Sequence, residues 1–373
     1  MKIGFDAKRA FNNAAGLGNF SRSTIAVLAR QYPDDKLFLF NPSQNKSLFI
    51  APENSIEIKP EGFWWKLFPN GWRSFRIGNK AAKLNIDIYH GLSHELPVGI
   101  EYSGIKTLVT IHDLIYIRYP EYFKKIDRVI YNRKFRYACL VATRIHAISE
   151  QTKLDLITFF DIPKEKIVVI YQSINPLYYS ILTEAQRLAV LGKYQLTERF
   201  LLTVGTIEPR KNLVALLKGM LSAKIDLPLV VVGKPTDYMQ EVQQLIDLHL
   251  IELKVIFLSS LDDVNLQVLY QSALAMIYPS VFEGFGLPVA EAQASGCPVI
   301  TSNTSSLPEA GGDAALYIDP KQPEEIGKAI RQLLDDPDLR KSLIAKGKVN
   351  AQRFMPEKYA RQLKQLYNTI LND

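Results

Sequence analysis

Two glutamates, Glu283 and Glu291, lie eight positions apart in the stretch VFEGFGLPVAEAQASGCPVI, residues 281–300. A carboxylate accepts hydrogen bonds from pairs of hydroxyls, so two carboxylates suit a ligand that carries two diol groups. The stretch predicts a helix that begins near Pro288 and ends at Gly296, because proline favours the first helical turn and glycine favours the stop. The alternative is that Glu283 caps this helix and Glu291 is a solvated helix residue.

The loop between the two glutamates also suits an anionic ligand. Backbone N–H groups at 284–288 lie at the predicted helix start, where they have no intrahelical acceptor and can bind phosphate or sugar oxygens. Gly284 and Gly286 favour the ligand-binding interpretation over simple capping, because glycine lets a ligand approach the backbone closely.

A second motif, TVGTIEPRKNL at 203–213, follows a predicted strand. Gly205 permits a sharp exit from the strand, and Arg210 and Lys211 fall at the opening of the next helix. Two adjacent cations with helix amides make a phosphate clamp. A solvated basic pair is the alternative. A diphosphate clamp together with a pair of diol-binding carboxylates predicts a nucleotide-sugar site.

With these motifs in order, the sequence resembles the retaining GT-B glycosyltransferases of the family 4 type, whose signature E-x7-E matches Glu283 to Glu291. The segment VGTIEPRKNL resembles the mannosyltransferase-like branch of that family. The resemblance covers essentially the whole chain and also includes the segments 14–22, 107–114, 147–156, 257–273 and 305–320.

The resemblance implies a role for each matching residue. Glu283 and the amides of the following loop would hold the donor sugar, Glu291 would hold the ribose hydroxyls, and Arg210 and Lys211 would neutralise the diphosphate leaving group. Thr206 stands where many relatives have an arginine or a serine, and its hydroxyl donates a hydrogen bond but brings no charge. The full donor-binding set is Gly18, Gly205, Thr206, Arg210, Lys211, Glu283, Gly284, Phe285, Gly286, Leu287 and Glu291.

Further candidates lie in the first half of the chain. GLGNF at 16–20 opens a predicted helix, lacks the GxGxxG fingerprint, and suits a diphosphate or an acceptor. His112 follows a predicted strand, and the resemblance makes it a contact of the donor sugar, whereas a lone histidine is otherwise more often a satisfied core residue. His90 and His94 lie at a similar edge and are candidate acceptor contacts. The expected catalytic set is His112, Glu283, Arg210 and Lys211.

No carboxylate is placed as a nucleophile on the far face of the sugar, and the resemblance implies front-face transfer in which the leaving phosphate helps to deprotonate the acceptor. Cations of the protein would stabilise the leaving group, so we expect no cofactor and no metal. The acidic run DDPDL at 335–339 is interpreted as a helix cap, and no His/Cys cluster has metal-ligand spacing.

Short β-branched runs alternate with helical periodicity along the chain, which predicts an α/β fold with parallel sheets. Strands are predicted at 2–6, 36–40, 86–90, 106–111, 144–148 and 166–170, and then at 200–205, 228–233, 254–258, 273–279 and 297–302. Helices are predicted at 18–30, 121–141, 149–159, 211–222, 237–250, 263–272, 287–295 and 322–334.

Strand periodicity breaks near 172–198, which predicts two Rossmann-like, doubly wound domains that face each other across a cleft, the GT-B arrangement. Ligands of such sheets bind beyond the carboxyl ends of the strands. With the roles that the resemblance implies, the domains are an acceptor-binding domain at 1–175 and a nucleotide-sugar-binding domain at 195–354. We expect the amphipathic helix at 355–373 to pack back on the first domain.

The composition, 47% hydrophobic and 22% charged, is that of a globular protein. The N-terminus has no apolar signal core, and Cys139 and Cys297 are two distant cysteines in apolar surroundings, so we expect a cytoplasmic protein with reduced thiols. Residues 1–180 carry 25 Lys+Arg against 16 Asp+Glu, a net charge of +9, whereas the remainder carries 20 against 22. The first half therefore favours an anionic partner.

Aromatic and basic residues interleave at 62–80 and 122–137. Such segments suit an anionic lipid surface, which makes the inner face of the membrane a candidate docking place. The alternative is that the aromatics are core and the charges are solvated. No nucleic-acid-binding module is recognisable, so nucleic acid is not an expected partner.

The function expected from these features is transfer of a hexose, with retention of configuration, from a nucleotide diphosphate sugar to a saccharide or lipid-linked saccharide in polysaccharide or lipopolysaccharide-type glycan biosynthesis. Mannose from GDP-mannose is the first choice, on the resemblance alone. The alternatives are a sugar-nucleotide epimerase of the same fold and a non-catalytic nucleotide-sugar-binding partner protein.

Overall fold

The computed structural model of the chain describes residues 1–43, 48–250 and 253–373. The chain divides into two compact units. Unit 1 comprises Met1–Ser173 and Pro356–Asp373, and unit 2 comprises Ile174–Met355. No described helix is long and apolar enough to cross a membrane.

Unit 1 is built on a seven-stranded sheet in the order β3-β2-β1-β4-β5-β6-β7, and every pair of neighbouring strands is parallel. Its strands are β1 (Lys2–Asp6), β2 (Lys36–Phe40), β3 (Ser55–Ile58), β4 (Ile88–Gly91), β5 (Lys106–Ile111), β6 (Arg144–Ala147) and β7 (Ile167–Val169). Its helices are α1 (Lys8–Asn12), α2 (Gly16–Gln31), α3 (Phe63–Leu67), α4 (Pro69–Phe75), α5 (Ile77–Lys83), α6 (Ile115–Arg118), α7 (Lys125–Val141) and α8 (Glu150–Phe160), and the chain's last helix, Pro356–Asn372, also belongs to this unit.

Unit 2 is built on a six-stranded parallel sheet in the order β10-β9-β8-β11-β12-β13. Its helices are α9 (Glu184–Lys193), α10 (Leu213–Ser222), α11 (Met239–Leu248), α12 (Asp263–Ser272), α13 (Leu287–Ala294), α14 (Leu307–Gly311), α15 (Pro323–Asp335) and α16 (Pro337–Ala351), and the last helix of the chain is then α17 (Pro356–Asn372). Its strands are β8 (Leu201–Val204), β9 (Leu229–Val232), β10 (Val255–Leu258), β11 (Ala275–Tyr278), β12 (Val299–Ser302) and β13 (Ala315–Ile318).

Both sheets have the doubly wound order, which confirms the predicted α/β fold class. The strand order reverses between β1 and β4 in unit 1 and between β8 and β11 in unit 2. A crevice opens at such a reversal beyond the carboxyl ends of the two central strands, and loops that leave those strands are where ligands bind. The topology therefore points to the residues that follow β1 and β4, and β8 and β11.

The terminal helix α17 packs on unit 1 as an amphipathic helix, with Tyr359, Leu363 and Tyr367 buried in the core formed by α2 and the sheet. Its polar atoms also bond within that core, since the Tyr359 hydroxyl lies 3.0 Å from Thr24 Oγ1. The helix is therefore part of the unit 1 core, although 182 residues of unit 2, 174–355, precede it in the chain.

A directional chain of hydrogen bonds runs through this core. The Tyr367 hydroxyl lies 2.7 Å from His90 Nδ1, His90 Nε2 lies 2.7 Å from Thr110 Oγ1, and this hydroxyl lies 3.0 Å from His146 Nδ1. His146 Nε2 lies 2.8 Å from the carbonyl oxygen of Ile170, which only accepts. Burial lowers the pKa of both histidines, so both rings are neutral. The carbonyl then fixes the direction: Tyr367 donates to His90, His90 to Thr110, and Thr110 to His146.

Two strands were not predicted from the sequence. The edge strand β3 has the sequence SIEI with an exposed Glu57, and it therefore lacks a continuous apolar run. The strand β13, ALYI, is short and half-buried at the other sheet's edge. Edge strands have neighbours on one side only, so their sequences carry a weaker apolar signal.

Candidate active site

Three of the predicted site residues form one ionic cluster in unit 2. Glu283 Oε2 lies 2.7 Å from Arg210 Nη1, and its Oε1 lies 2.6 Å from Lys211 Nζ. The Tyr278 hydroxyl joins them, because it donates to Glu283 Oε1 at 3.1 Å and accepts from the Lys211 ammonium. The carboxylate predicted to hold the sugar and the cations predicted to hold the diphosphate are therefore in direct contact.

The cluster is buried, with Glu283 only 7% exposed, so its charged groups are stabilised mainly by one another and little by solvent. Burial alone would raise the pKa of Glu283, but the charges of Lys211 and Arg210 outweigh burial and lower the pKa of Glu283 to about 2. Burial lowers the pKa of Lys211, and Glu283 opposes that shift. Glu283 is consequently an anion at every physiological pH, held between two cationic side chains.

The cluster lies where the unit 2 sheet reverses its strand order. Tyr278 ends β11 and Gly205 follows β8, the two central strands. Gly205 has φ +140°, and a Cβ there would meet Lys211 Cε at 3.2 Å, while a Cβ on Gly233 would meet the Gly205 carbonyl oxygen at 1.9 Å. Glycine at 205 therefore gives the chain room to turn from β8 and bring the two cations back over the sheet edge.

Asn212 fixes the turn that carries the cations. It adopts a left-handed conformation with φ +61°, directly after Arg210 and Lys211. Its amide donates to the Pro320 carbonyl at 2.7 Å and to the Pro279 carbonyl at 3.2 Å. These bonds tie the turn to the loops that follow β13 and β11.

Loop 303–306, after β12, holds the loop that carries Glu283. The Glu283 amide donates to Ser305 Oγ at 3.1 Å, and Ser306 Oγ lies 2.9 Å from the carbonyl oxygens of both Glu283 and Phe285. Gly286 begins α13 with φ +105°, where a Cβ would lie 2.8 Å from Leu307. The predicted glycine at this position is thus required by both its backbone angle and its packing.

The other predicted donor-binding residues take three different positions. The Phe285 ring is buried 5.3 Å from the Phe354 ring, so only its backbone is placed to meet a ligand. Gly284 and Leu287 are half-buried at the start of α13, and Thr206 is exposed directly after Gly205.

Glu291 occupies a separate environment on α13. Its partner is the Tyr270 hydroxyl of α12, 3.2 Å from Glu291 Oε2. Burial raises the pKa of Glu291 to about 7, while the Tyr270 bond acts in the opposite direction. Glu291 is therefore not the solvated helix residue of the alternative interpretation. It differs from Glu283 in forming no ion pair with a cation among the residues that the structure describes.

In unit 1, His112 and His94 lie together at the carboxyl edge of the sheet. Their ring centroids are 5.1 Å apart, and Phe20 of α2 stands edge-on to His112 at 4.6 Å. His112 Nε2 lies 3.0 Å from the Leu92 carbonyl oxygen, so Nε2 carries the proton and Nδ1 is left as an acceptor. Burial lowers the pKa of His112 to about 4, although the bond to Leu92 opposes this, and the ring is neutral at pH 7.

His94 is the more unusual of the two histidines. It has φ +64°, its ring stacks on Phe135 at 4.2 Å, and its Nδ1 is buried without a hydrogen-bond partner among residues 1–43, 48–250 and 253–373. Left-handed backbone at a non-glycine residue and an unsatisfied polar atom both cost free energy, and such features cluster at functional sites.

Two predicted residues do not have the expected surroundings. His90 is fully buried and both of its ring nitrogens are bonded, to Tyr367 and Thr110, so it has no atom to offer an acceptor, and the prediction that it contacts one is wrong. Gly18 lies inside α2, where a Cβ would meet the Asn13 carbonyl oxygen at 1.8 Å, and its amide donates to Ala15. Close packing against Asn13 explains this glycine, and its amide is not available for the donor.

The acidic run at 335–339 acts as a helix cap, because Asp336 accepts from the Leu339 amide at 2.8 Å at the start of α16. Within residues 1–43, 48–250 and 253–373, no group of three or more His, Cys, Asp and Glu side chains could hold a metal ion.

Sequence reasoning missed Tyr278, Tyr270, Ser305 and Ser306 as parts of these sites. Ser305 and Ser306 lie in the segment 305–320 and Tyr270 lies in 257–273, which the resemblance covers without implying a role for any of the three. Tyr278 follows three apolar residues in β11, which gave it the pattern of a core residue.

Comparison with known proteins agrees with this architecture. The model of "Glycosyl transferases group 1" matches residues 192–350, and that of "Glycosyltransferase Family 4" matches residues 24–176. The O-antigen chain mannosyltransferase B of Escherichia coli is 34% identical, covering 99% of this chain and 100% of that protein.

Solved structures share the fold over nearly the whole chain. A glycosyltransferase of Rickettsia africae ESF-5 superposes with a TM-score of 0.78 at 18% identity, covering 100% of this chain and 99% of that one. Anabaena HepE in complex with UDP-glucose gives a TM-score of 0.74 at 16% identity, covering 99% and 100%. The chain therefore belongs to the family 4 type of GT-B glycosyltransferases.

Proposed function

We propose that this glycosyltransferase moves a hexose from a nucleotide diphosphate sugar to a saccharide or lipid-linked saccharide, with retention of configuration, in the synthesis of a polysaccharide or lipopolysaccharide-type glycan. The observation that carries the proposal is the buried cluster of Glu283, Arg210 and Lys211 beside the start of α13. Mannose from GDP-mannose is the first candidate donor, and the name of the Escherichia coli relative supports it.

The cluster suits a diphosphate leaving group because its cations are positioned before any ligand arrives. Glu283 holds Arg210 and Lys211 through separate oxygens, and a buried, preorganised cation stabilises developing negative charge without reorganising. The amide groups at the start of α13 add the positive end of the helix dipole. We assign the diphosphate to these cations and amides, the donor sugar to Glu283 with the loop 284–287, and the ribose to Glu291.

From unit 1 we propose His112 as the group that contacts the donor sugar. Its Nδ1 is an acceptor and the ring is neutral at pH 7, so it can accept a hydrogen bond from a sugar hydroxyl but cannot serve as a general acid. We propose His94 as an acceptor contact, because its Nδ1 has no hydrogen-bond partner within the described part of the chain.

Retention would follow from front-face transfer, in which the leaving phosphate helps to deprotonate the acceptor hydroxyl. We propose that the charge of the leaving group is stabilised by Arg210 and Lys211, so that no metal is required. Activity that persists unchanged in excess EDTA supports this part, and activity that is lost with EDTA and restored by Mg²⁺ contradicts it. The anomeric configuration of the product, measured by NMR before mutarotation, tests retention.

Binding of the donor tests the site itself. A ligand that binds the native state raises its melting temperature, so a thermal-shift screen with GDP-mannose, UDP-glucose and the free nucleotides identifies the donor. Lys211→Met is expected to abolish the shift, whereas Lys218→Met, an exposed lysine on the following helix α10, is expected to leave it intact. Equal shifts in both variants would place the diphosphate elsewhere.

Two other functions are not favoured. A sugar-nucleotide epimerase would return an epimerised donor, and a non-catalytic binding protein would release no nucleotide. The whole-length match to a transferase argues against both. Analysis of products with an acceptor present decides among them, because only a transferase yields an extended acceptor together with the free nucleotide diphosphate.

A further inference from the structure

Helix α7 of unit 1 has apolar residues on two opposite faces. Phe135, Ala138 and Cys139 point into the core. Ile126, Val129, Ile130 and Leu140 lie on the opposite side at helical spacing and are exposed, with Ile126 64% and Val129 66% accessible. A helix that exposes an apolar face in addition to its buried one has a surface that no other described element covers.

The helix as a whole is strongly basic. Residues 125–141 carry five cations (Lys125, Arg128, Arg133, Lys134 and Arg136) against the single acid Asp127. A groove of about 570 Å³ runs beside the helix, and its walls include Tyr116, Lys125, Arg128 and Arg133. No ion pair engages Lys125, Arg128 or Arg133 among the residues that the structure describes, so these charges remain to meet an anion.

A second exposed apolar surface adjoins the first through one loop. Phe63, Trp64, Leu67 and Phe68, in and beside α3, and Phe75, at the end of α4, are all more than half exposed. The carboxylate of Glu95 binds Arg73 of α4 at 2.6 Å and Lys134 of α7 at 3.0 Å.

Backbone contacts strengthen this connection. The Val98 amide donates to the Ser74 carbonyl of α4 at 2.7 Å, and the Gly99 amide donates to the Tyr137 hydroxyl of α7 at 2.7 Å. The loop 95–102 is thus bonded to both helices, and it adds Val98 and Tyr102, the latter 88% exposed.

We propose that these elements form a docking surface for an anionic lipid bilayer, here called the basic apolar surface and made of α3, α4, loop 95–102 and α7. Interfacial helices bind bilayers in this way, with apolar side chains among the acyl chains and Lys or Arg at anionic headgroups. A second copy of the chain fits less well, because a two-fold contact would bring the same cations of α7 against each other. None of the residues of this surface belongs to the proposed donor site, and docking does not depend on which sugar is transferred.

Flotation of the full-length protein with vesicles tests the proposal. We expect binding to vesicles of phosphatidylcholine with phosphatidylglycerol, and little binding to phosphatidylcholine alone. Ile126→Ser combined with Val129→Ser is expected to reduce the bound fraction at least about tenfold, since it removes two apolar side chains from the bilayer interface. The matched control is Val264→Ser combined with Val349→Ser, two exposed aliphatic residues of unit 2, which is expected to bind as the wild type does.

Three results would overturn the docking surface: no binding of wild type to anionic vesicles, equal binding to neutral vesicles, or undiminished binding of the Ile126/Val129 double variant. A wild-type dimer that this variant converts to a monomer, measured by analytical ultracentrifugation without lipid, would assign the face to a second copy instead. Transfer to a soluble saccharide without vesicles is measured in parallel. A loss of flotation with intact transfer separates this proposal from the proposed function.

Discussion

Replacing Glu283 by glutamine is expected to destabilise unit 2 by about 3 kcal/mol at pH 7. The carboxylate has a pKa of about 2 in the fold, against 4.5 for an ordinary glutamate. A difference of about 2.5 in pKa corresponds to about 3 kcal/mol, and it agrees with the roughly 3–5 kcal/mol lost when one partner of a buried ion pair is removed. Because the folded pKa is the lower one, this stabilisation is complete above pH 4.5 and disappears as the pH falls through about 2.

Urea unfolding followed by circular dichroism measures this loss. With a slope of roughly 1–3 kcal/mol per molar urea, a loss of about 3 kcal/mol lowers the unfolding midpoint by at least about 1 M. All three tryptophans, Trp64, Trp65 and Trp72, belong to unit 1. Tryptophan fluorescence therefore reports the unit that the substitution does not touch and serves as an internal reference.

Glu208 provides the matched control for Glu283. Its carboxylate also binds Arg210, at 2.5 Å, but its side chain is 31% exposed. A pair at the surface is worth about 0–1 kcal/mol, so Glu208→Gln is expected to shift the midpoint by a third of the Glu283→Gln effect or less. Equal effects of the two substitutions, or a loss below about 1 kcal/mol for Glu283→Gln, would refute the assignment of Glu283 as the buried counter-ion of both cations.

Four further outcomes follow from the same structure. Nucleotide affinity, measured by calorimetric titration, is expected to rise between about pH 6 and 8 as Glu291 loses its proton, and Glu291→Gln is expected to remove this dependence. The melting temperature is expected to fall as the pH decreases from 6.5 toward about 4, because burial lowers the pKa of His146 to about 4 and the unfolded chain therefore binds a proton at a higher pH than the folded one. The free energy of unfolding falls by up to about 3 kcal/mol over this range, and a melting temperature that does not change contradicts the prediction. Gly286→Ala is expected to cost about 1–3 kcal/mol in chemical unfolding, since φ is +105° and the new Cβ meets Leu307. Gly192→Ala, on exposed helix α9 with open space around it, is expected to stabilise by about 0.5–1 kcal/mol.

The fold was predictable where burial gives the sequence a clear pattern. The run KTLVTI lies inside the sheet of unit 1 and forms β5 with the predicted bounds, because both of its faces are covered. The strand β3 escaped prediction because one side of an edge strand has no neighbour, and its Ser55 and Glu57 reflect that exposure. The hydrophobic periodicity of the sequence therefore identifies buried strands such as β5, and it misses edge strands such as β3.

The parts of the site were predictable one motif at a time, but their contacts were not. Lys211 and Glu283 are separated by 72 positions, and nothing local indicates that their side chains meet. The same limit explains His90. It stands at the end of a strand like a ligand contact, yet Tyr367, 277 positions away, covers it. Long-range packing decides whether a polar residue at a sheet edge is open to a ligand or already satisfied.

The two glutamates of the E-x7-E pair illustrate this most directly. The two residues are of the same type, but their surroundings shift their pKa values in opposite directions, to about 2 for Glu283 and to about 7 for Glu291. The first shift comes from two cations and the second from burial beside a neutral tyrosine, Tyr270. Divergent pKa values in paired carboxyl groups indicate different roles. Glu283 is a permanent anion that fixes the cations, whereas Glu291 exchanges its proton near neutral pH, so of the two only Glu291 changes its charge within the physiological pH range.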